Sequence, residues 1–137
     1  LSMCTRVRQL HIHDIDDAAA SVLSNFTTLE CLSIGMATTD VTTTGLVHLA
    51  QLPRLCYLDI ELGHFNDVSP LASCTMLSTL RLLSDVRISS ESVLGFTALR
   101  KLAVLIVSPV ELSLATEKIL LDACPLLDVL DCRLNRS

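Results

Sequence analysis

Six times along this chain an apolar residue is followed by two variable residues, a leucine, one variable residue and another apolar one. The blocks are 7–12 (VRQLHI), 29–34 (LECLSI), 55–60 (LCYLDI), 77–82 (LSTLRL), 99–104 (LRKLAV) and 127–132 (LDVLDC). Their central leucines are Leu10, Leu32, Leu58, Leu80, Leu102 and Leu130, separated by 22, 26, 22, 22 and 28 residues. A second ladder keeps the same phase three residues upstream of each block, at Cys4, Phe26, Leu52, Cys74, Phe96 and Cys124. Two ladders in phase over six units confine the chain to repeat architectures, in which each unit buries its apolar face only against its neighbours.

Alternation within a block predicts a short strand. The first, fourth and sixth residues point inward, and the third and fifth point outward. A strand of three to five residues has no stability alone. Stacked in parallel about 4.8 Å apart, six such strands satisfy one another's backbone and bury a continuous leucine column.

Helical signals fill the return paths. Asp16 or Asp17 precedes Ala18 to Leu23, and Thr43 precedes Leu46, Leu49 and Leu52 at three-residue spacing. Asp67 precedes Val68, Leu71 and Cys74, and Ser90 precedes Glu91 to Phe96. Thr116 precedes Glu117 to Ala123, with Ile119, Leu120 and Ala123 on one face. Each is a capping residue ahead of an apolar stripe. Helices are wider than strands, so such a stack curves with the strand side concave.

The L-x-x-L-x-L blocks resemble the leucine-rich repeat family over essentially the whole chain. The resemblance implies an α/β fold: a right-handed solenoid arc, with six short parallel strands on the concave face and helices or irregular turns on the convex face. It also implies protein recognition by the concave face. The family motif often places Asn or Cys three positions after the block. Here those positions hold Ile15, Ala37, Gly63, Asp85, Val107 and Asn135, so irregular turns are expected there. Segments 46–60 (LVHLAQLPRLCYLDI) and 119–132 (ILLDACPLLDVLDC) look like the repeats that follow an F-box in ubiquitin-ligase substrate receptors. Segment 66–82 (NDVSPLASCTMLSTLRL) looks like internalin-type or related parasite repeats.

Composition removes several function classes. The formal charge is −5, Trp is absent and no basic cluster stands out, so nucleic acid is not an expected partner. The longest apolar run, around 102–107, is far short of the ~20 residues that span a bilayer, so no membrane partner is expected. The six cysteines form no C-x-x-C pair and read as free thiols of a reducing, cytoplasmic setting. Four glycines and no phosphate-binding or hydrolase motif argue against an enzyme, and no cofactor is implied.

Two chemical alternatives compete with a purely structural role for the polar residues. His11, His13 and Asp14 have a spacing that could hold a metal ion, but they read better as a polar strand face. Cys31 or Cys56 could pair with His11, but nothing in the sequence activates either thiol. Cys4, Cys74, Cys124 and Cys132 fall on apolar ladder positions and act as small hydrophobes.

The outward ladders remain as the functional surface. Third positions are Gln9, Cys31, Tyr57, Thr79, Lys101 and Val129; fifth positions are His11, Ser33, Asp59, Arg81, Ala103 and Asp131; seventh positions add His13, Glu61 and Arg133. The expected protein-binding residues are Gln9, His11, His13, Ser33, Tyr57, Asp59, Glu61, Thr79, Arg81, Lys101 and Asp131. Tyr and Arg are frequent interface anchors. The expectation is a single domain over 1–137, a fragment of a longer chain that binds a protein partner, with substrate recognition in an F-box ubiquitin ligase as one setting. The alternative is a structural segment of a longer scaffold or surface receptor. Either way, further repeats or a capping domain are expected at the chain ends.

Overall fold

The computed structural model describes residues 6–35, 41–63 and 67–132. Ladder residue Cys4, turn positions Ala37 and Asn135, and outward position Arg133 lie outside the described residues. Six strands alternate with helical segments. They are β1 (Gln9–Ile12), β2 (Cys31–Ile34), β3 (Tyr57–Leu62), β4 (Thr79–Ser84), β5 (Val104–Ser108) and β6 (Val129–Cys132). The helices are α1 (Asp17–Leu23), α2 (Thr43–Leu49), α3 (Ser90–Leu94) and α4 (Leu114–Ala123). Two 310 turns, Ser69–Ser73 and Gly95–Ala98, complete the returns.

The described strands form one parallel sheet in chain order, β1 through β6. The register joins Leu10, Leu32, Leu58, Leu80, Leu105 and Leu130 in one row. Ile12, Ile34, Ile60, Leu82 and Val107 form the next row on the same face. Leu32, Leu58, Leu80 and Leu105 have no exposed surface, and neither have the helical Leu46, Leu49, Leu71, Phe96 and Leu120. The core therefore lies between one face of the sheet and the returning segments.

The expected leucine column is correct at five positions and wrong at the fifth repeat. Leu105, not Leu102, pairs with Leu80 and Leu130. The string LRKLAVLIV carries leucines at 99, 102 and 105, so the motif fits twice, three residues apart. The later fit prevails for a physical reason. It gives the strand Val104, Ile106 and Val107, whose β-branched side chains suit a pleated surface. It also leaves Arg100 and Lys101 exposed in the preceding turn. Leu102 then takes the first position of the block, fully buried, and Leu99 takes the upstream ladder position expected for Phe96. Phe96 is buried one turn earlier, in the second 310 turn. The spacings become 22, 26, 22, 25 and 25 residues.

A recurrent hydrogen-bond device sets the entries of β2 through β6. The carbonyl of Arg8 accepts from the amides of both Glu30 and Cys31, at 2.8 and 2.9 Å. The Glu30 carbonyl accepts from Cys56 and Tyr57, and the Cys56 carbonyl from Ser78 and Thr79. The carbonyls of Ser78 and Ala103 accept in turn from the pairs 103–104 and 128–129. Two consecutive amides aimed at one acceptor break the strand pleat at each entry.

The α1 cap falls where expected and those of α2 and α4 one and three residues earlier, whereas Ser90 lies inside α3 and Ser89 before it makes no side-chain cap bond. Asp16 caps α1 by accepting from the Ala19 amide at 2.8 Å. Thr42, not Thr43, caps α2. Ser113 caps α4 by accepting from the Thr116 amide at 3.1 Å, so the helix starts before Thr116. Ile119 is about half exposed; of the face expected for α4, Leu120 alone is fully buried. The return at Asp67 is a 310 turn with Pro70 near its start, and it has no side-chain cap at Val68. Asp67 Oδ1 instead accepts from the Ser69 amide and hydroxyl and from the Ser92 hydroxyl at 3.2 Å, which joins two successive returns.

Candidate functional site

Among the described residues, no helix covers the second face of the sheet. Its side chains stand in rows fixed by the strand register. One row runs Gln9, Cys31, Tyr57, Thr79, Val104, Val129. The next runs His11, Ser33, Asp59, Arg81, Ile106, Asp131. A partial third row holds Glu61, Leu83 and Ser108. In β2–β5 these residues are half-buried, apart from Tyr57, which is exposed. Packing against strand neighbours accounts for the covered part and leaves the tips outward.

The register brings Asp59 directly opposite Arg81, and the two form an ion pair. Arg81 Nη1 donates to both carboxylate oxygens of Asp59, at 3.1 and 3.2 Å. Opposite charges facing each other on adjacent strands support the pairing, though half-exposed pairs contribute only modestly. The pair fixes two charged side chains, the long Arg81 among them, in the middle of the face. Beside it lies a shallow groove of about 330 Å³, lined by Gln9, His11, Cys31, Ser33, Tyr57 and the leucine row beneath.

His13 follows β1 rather than belonging to it, and its ring meets that of His11 edge-on at 5.4 Å. The Asp14 carboxylate accepts from the Ile15 amide at 2.9 Å. Among the described residues no group of three or more His, Cys, Asp or Glu side chains has metal-binding geometry.

Ten of the eleven expected binding residues lie on or beside this face. Lys101 does not. It sits in the turn before β5, where its ammonium lies 3.3 Å from Met76 Sδ. The three-residue slip moved it there and also removed Ala103 from the outward ladder. In their place the face gains Val104, Ile106 and, from β4, Leu83. The signal that would have found Val104 and Ile106 is the second fit of the motif, 102–107, which keeps both cations out of a strand. The β5 end of the face is consequently more apolar than the β1–β3 end, where His, Ser, Tyr, Asp and Glu dominate.

The thiols divide by environment. Cys74 and Cys124 are buried. Burial pushes the Cys74 thiol up to about 12. Burial also raises Cys124, against a smaller opposing effect of Arg100. Cys31 and Cys56 are half-exposed. Burial raises the Cys56 thiol, and the neighbouring Cys31 and the Glu30 charge raise it further. That direction is opposite to the one an activated cysteine nucleophile needs.

No protein-family model matches the sequence, and no curated protein matches it. Among the described residues, no helix is long and apolar enough to cross a membrane.

Proposed function

We propose that the chain is a leucine-rich repeat solenoid whose helix-free strand face binds a protein partner. The supporting observation is the register. It aligns the variable third and fifth residues of six blocks into continuous rows, while the leucines of the same blocks point to the core. The apolar positions thus serve packing, and the variable ones converge on one surface. Tyr57, exposed beside the groove, and Arg81, held by Asp59, are the anchors of that surface. A large aromatic and a preorganised guanidinium supply contact area and directed hydrogen bonds at low entropic cost. Substrate recognition within an F-box ubiquitin ligase is one setting for such a surface.

The test is affinity capture with three baits: the natural chain, a Tyr57→Ala/Arg81→Glu double variant, and a helix-side control, Gln51→Glu. Partners should be retained by the natural and control chains and lost from the double variant. Equal capture by all three would sink the reading.

A second reading, a segment of a longer repeat scaffold, is favoured by one observation. The terminal leucines Leu10 and Leu130 are only half-covered, whereas the four between them are fully buried. Val129, at the β6 edge, is also exposed. Further repeats or a capping domain would cover such edges.

A further inference from the structure

Cys31 and Cys56 meet because of the strand-entry device. Cys31 lies on β2 opposite Tyr57 of β3, and Cys56 immediately precedes Tyr57. The amides of Cys56 and Tyr57 both point at the Glu30 carbonyl, at 2.9 and 3.0 Å. Regular pleating would send Cys56 to the core side, opposite Tyr57. The broken pleat leaves it half-exposed, with its thiol 3.4 Å from that same carbonyl. In ideal parallel strands about 4.8 Å apart, a one-residue offset of about 3.3 Å would set two α-carbons about 5.8 Å apart, and Cys31 lies close enough to act on the Cys56 thiol. Disulfides commonly bridge separations of about 5.5–6 Å. Cys31 also lines the groove beside Tyr57.

We propose that Cys31 and Cys56 form a dithiol modification site, which a low-molecular-weight disulfide converts to a disulfide bridging β2 and the entry of β3. One protein thiolate attacks a sulfur of the small disulfide, forms a mixed disulfide and expels one small thiolate. The second protein thiolate then attacks the protein sulfur of that mixed disulfide and expels the other. The two protons lost by the protein are taken up by the two departing thiolates. The protein pair is oxidised by two electrons, and the small disulfide is reduced to two thiols. The bridge fixes the backbone on which Tyr57 stands, at one wall of the groove. The site does not depend on whether the face binds a partner.

The cysteine map makes the test direct. Trypsin yields peptide 9–54, whose one cysteine is Cys31, and peptide 55–81, which carries Cys56 and Cys74. The chain is incubated with oxidised glutathione, alkylated, digested and analysed by tandem mass spectrometry. The expected product links 9–54 to 55–81 through Cys56, disappears on treatment with dithiothreitol, and persists in Cys74→Ser. In Cys31→Ser the link is lost and Cys56 carries glutathione instead. Separate glutathione adducts on Cys31 and Cys56 in the natural chain, or no reaction at either, would overturn the proposal. A link through Cys74 would overturn it as well. The natural chain decides the matter alone should the Cys31 variant fail to fold.

Discussion

Replacing Leu105 by alanine tests the register of the fifth repeat, on which the composition of the open face depends. Leu105 has no exposed surface and sits in the inward row between Leu80 and Leu130. The substitution removes three carbons. At about 0.8 kcal/mol per buried methylene, the lost transfer energy is about 2.4 kcal/mol. The cavity left by incomplete collapse raises the cost to about 3–4 kcal/mol. A chain of this length has a total stability of about 7–20 kcal/mol, so the loss is a sizeable share of it. With a urea slope of about 2 kcal/mol per molar, the unfolding midpoint should fall by about 1.5–2 M. Ile106→Ala, half-buried on the open face, should cost only about 1 kcal/mol. Urea titrations followed by circular dichroism compare the two. The reasoning fails if Leu105→Ala stays within about 1 kcal/mol of the natural chain while Ile106→Ala costs about 3.

Four further outcomes follow from the same structure. Gly45 on α2 packs so closely on Asp17 and Val41 Cγ1 that an added Cβ would meet the Asp17 carboxylate; Gly45→Ala should therefore destabilise in thermal melts, against the usual gain of about 0.5–1 kcal/mol for this change in a helix. At Asp17 burial works to raise the carboxyl pKa, but hydrogen bonds from the Thr42 hydroxyl and amide outweigh it, and the Ser69 hydroxyl and amide lower that of Asp67. Both groups thus contribute stability that is present above the ordinary 3.8 and lost as pH falls through their lowered values; Asp17→Asn and Asp67→Asn should flatten that part of an acid-denaturation profile. A double-mutant cycle on Asp59 and Arg81 should give a coupling of about 0.5–1 kcal/mol that shrinks in high salt, because the pair is half-exposed. Removing the α1 cap with Asp16→Ala should cost about 1 kcal/mol in urea titration, and Asp16→Ser should restore most of it.

The repeat period and the inward leucines were legible because core burial leaves a mark on sequence that no return path can hide. The sheet order follows from the same pattern, since units too short to pair within themselves pair with the next in line. The slip at the fifth repeat came from residues, not from the rule. Leucines at 99, 102 and 105 satisfy one template in two phases, and β-branched residues at 104, 106 and 107 decide between them. The Asp59–Arg81 pair was hidden although both residues were named, because a match across 22 positions needs the register and not merely the period. Cys31 and Cys56 likewise lie in different phases of their blocks, at the third and second positions. Their meeting depends on a break in the pleat that side-chain alternation does not encode. The return after β3 carries a helical signal although it folds as a 310 turn, because Val68, Leu71 and Cys74 keep a three-residue spacing that suits both kinds of turn.

The shared carbonyl at each strand entry separates two demands that a growing repeat array would otherwise set against each other. Because Arg8, Glu30, Cys56, Ser78 and Ala103 each hold the next strand by two adjacent amides, alignment is settled locally, whatever length of chain intervenes. Repeats of 22, 25 and 26 residues reach the same docking point. Return segments can therefore gain or lose residues without sliding the leucines out of line, and the outer side of the array is free to diversify while the strand face keeps its spacing.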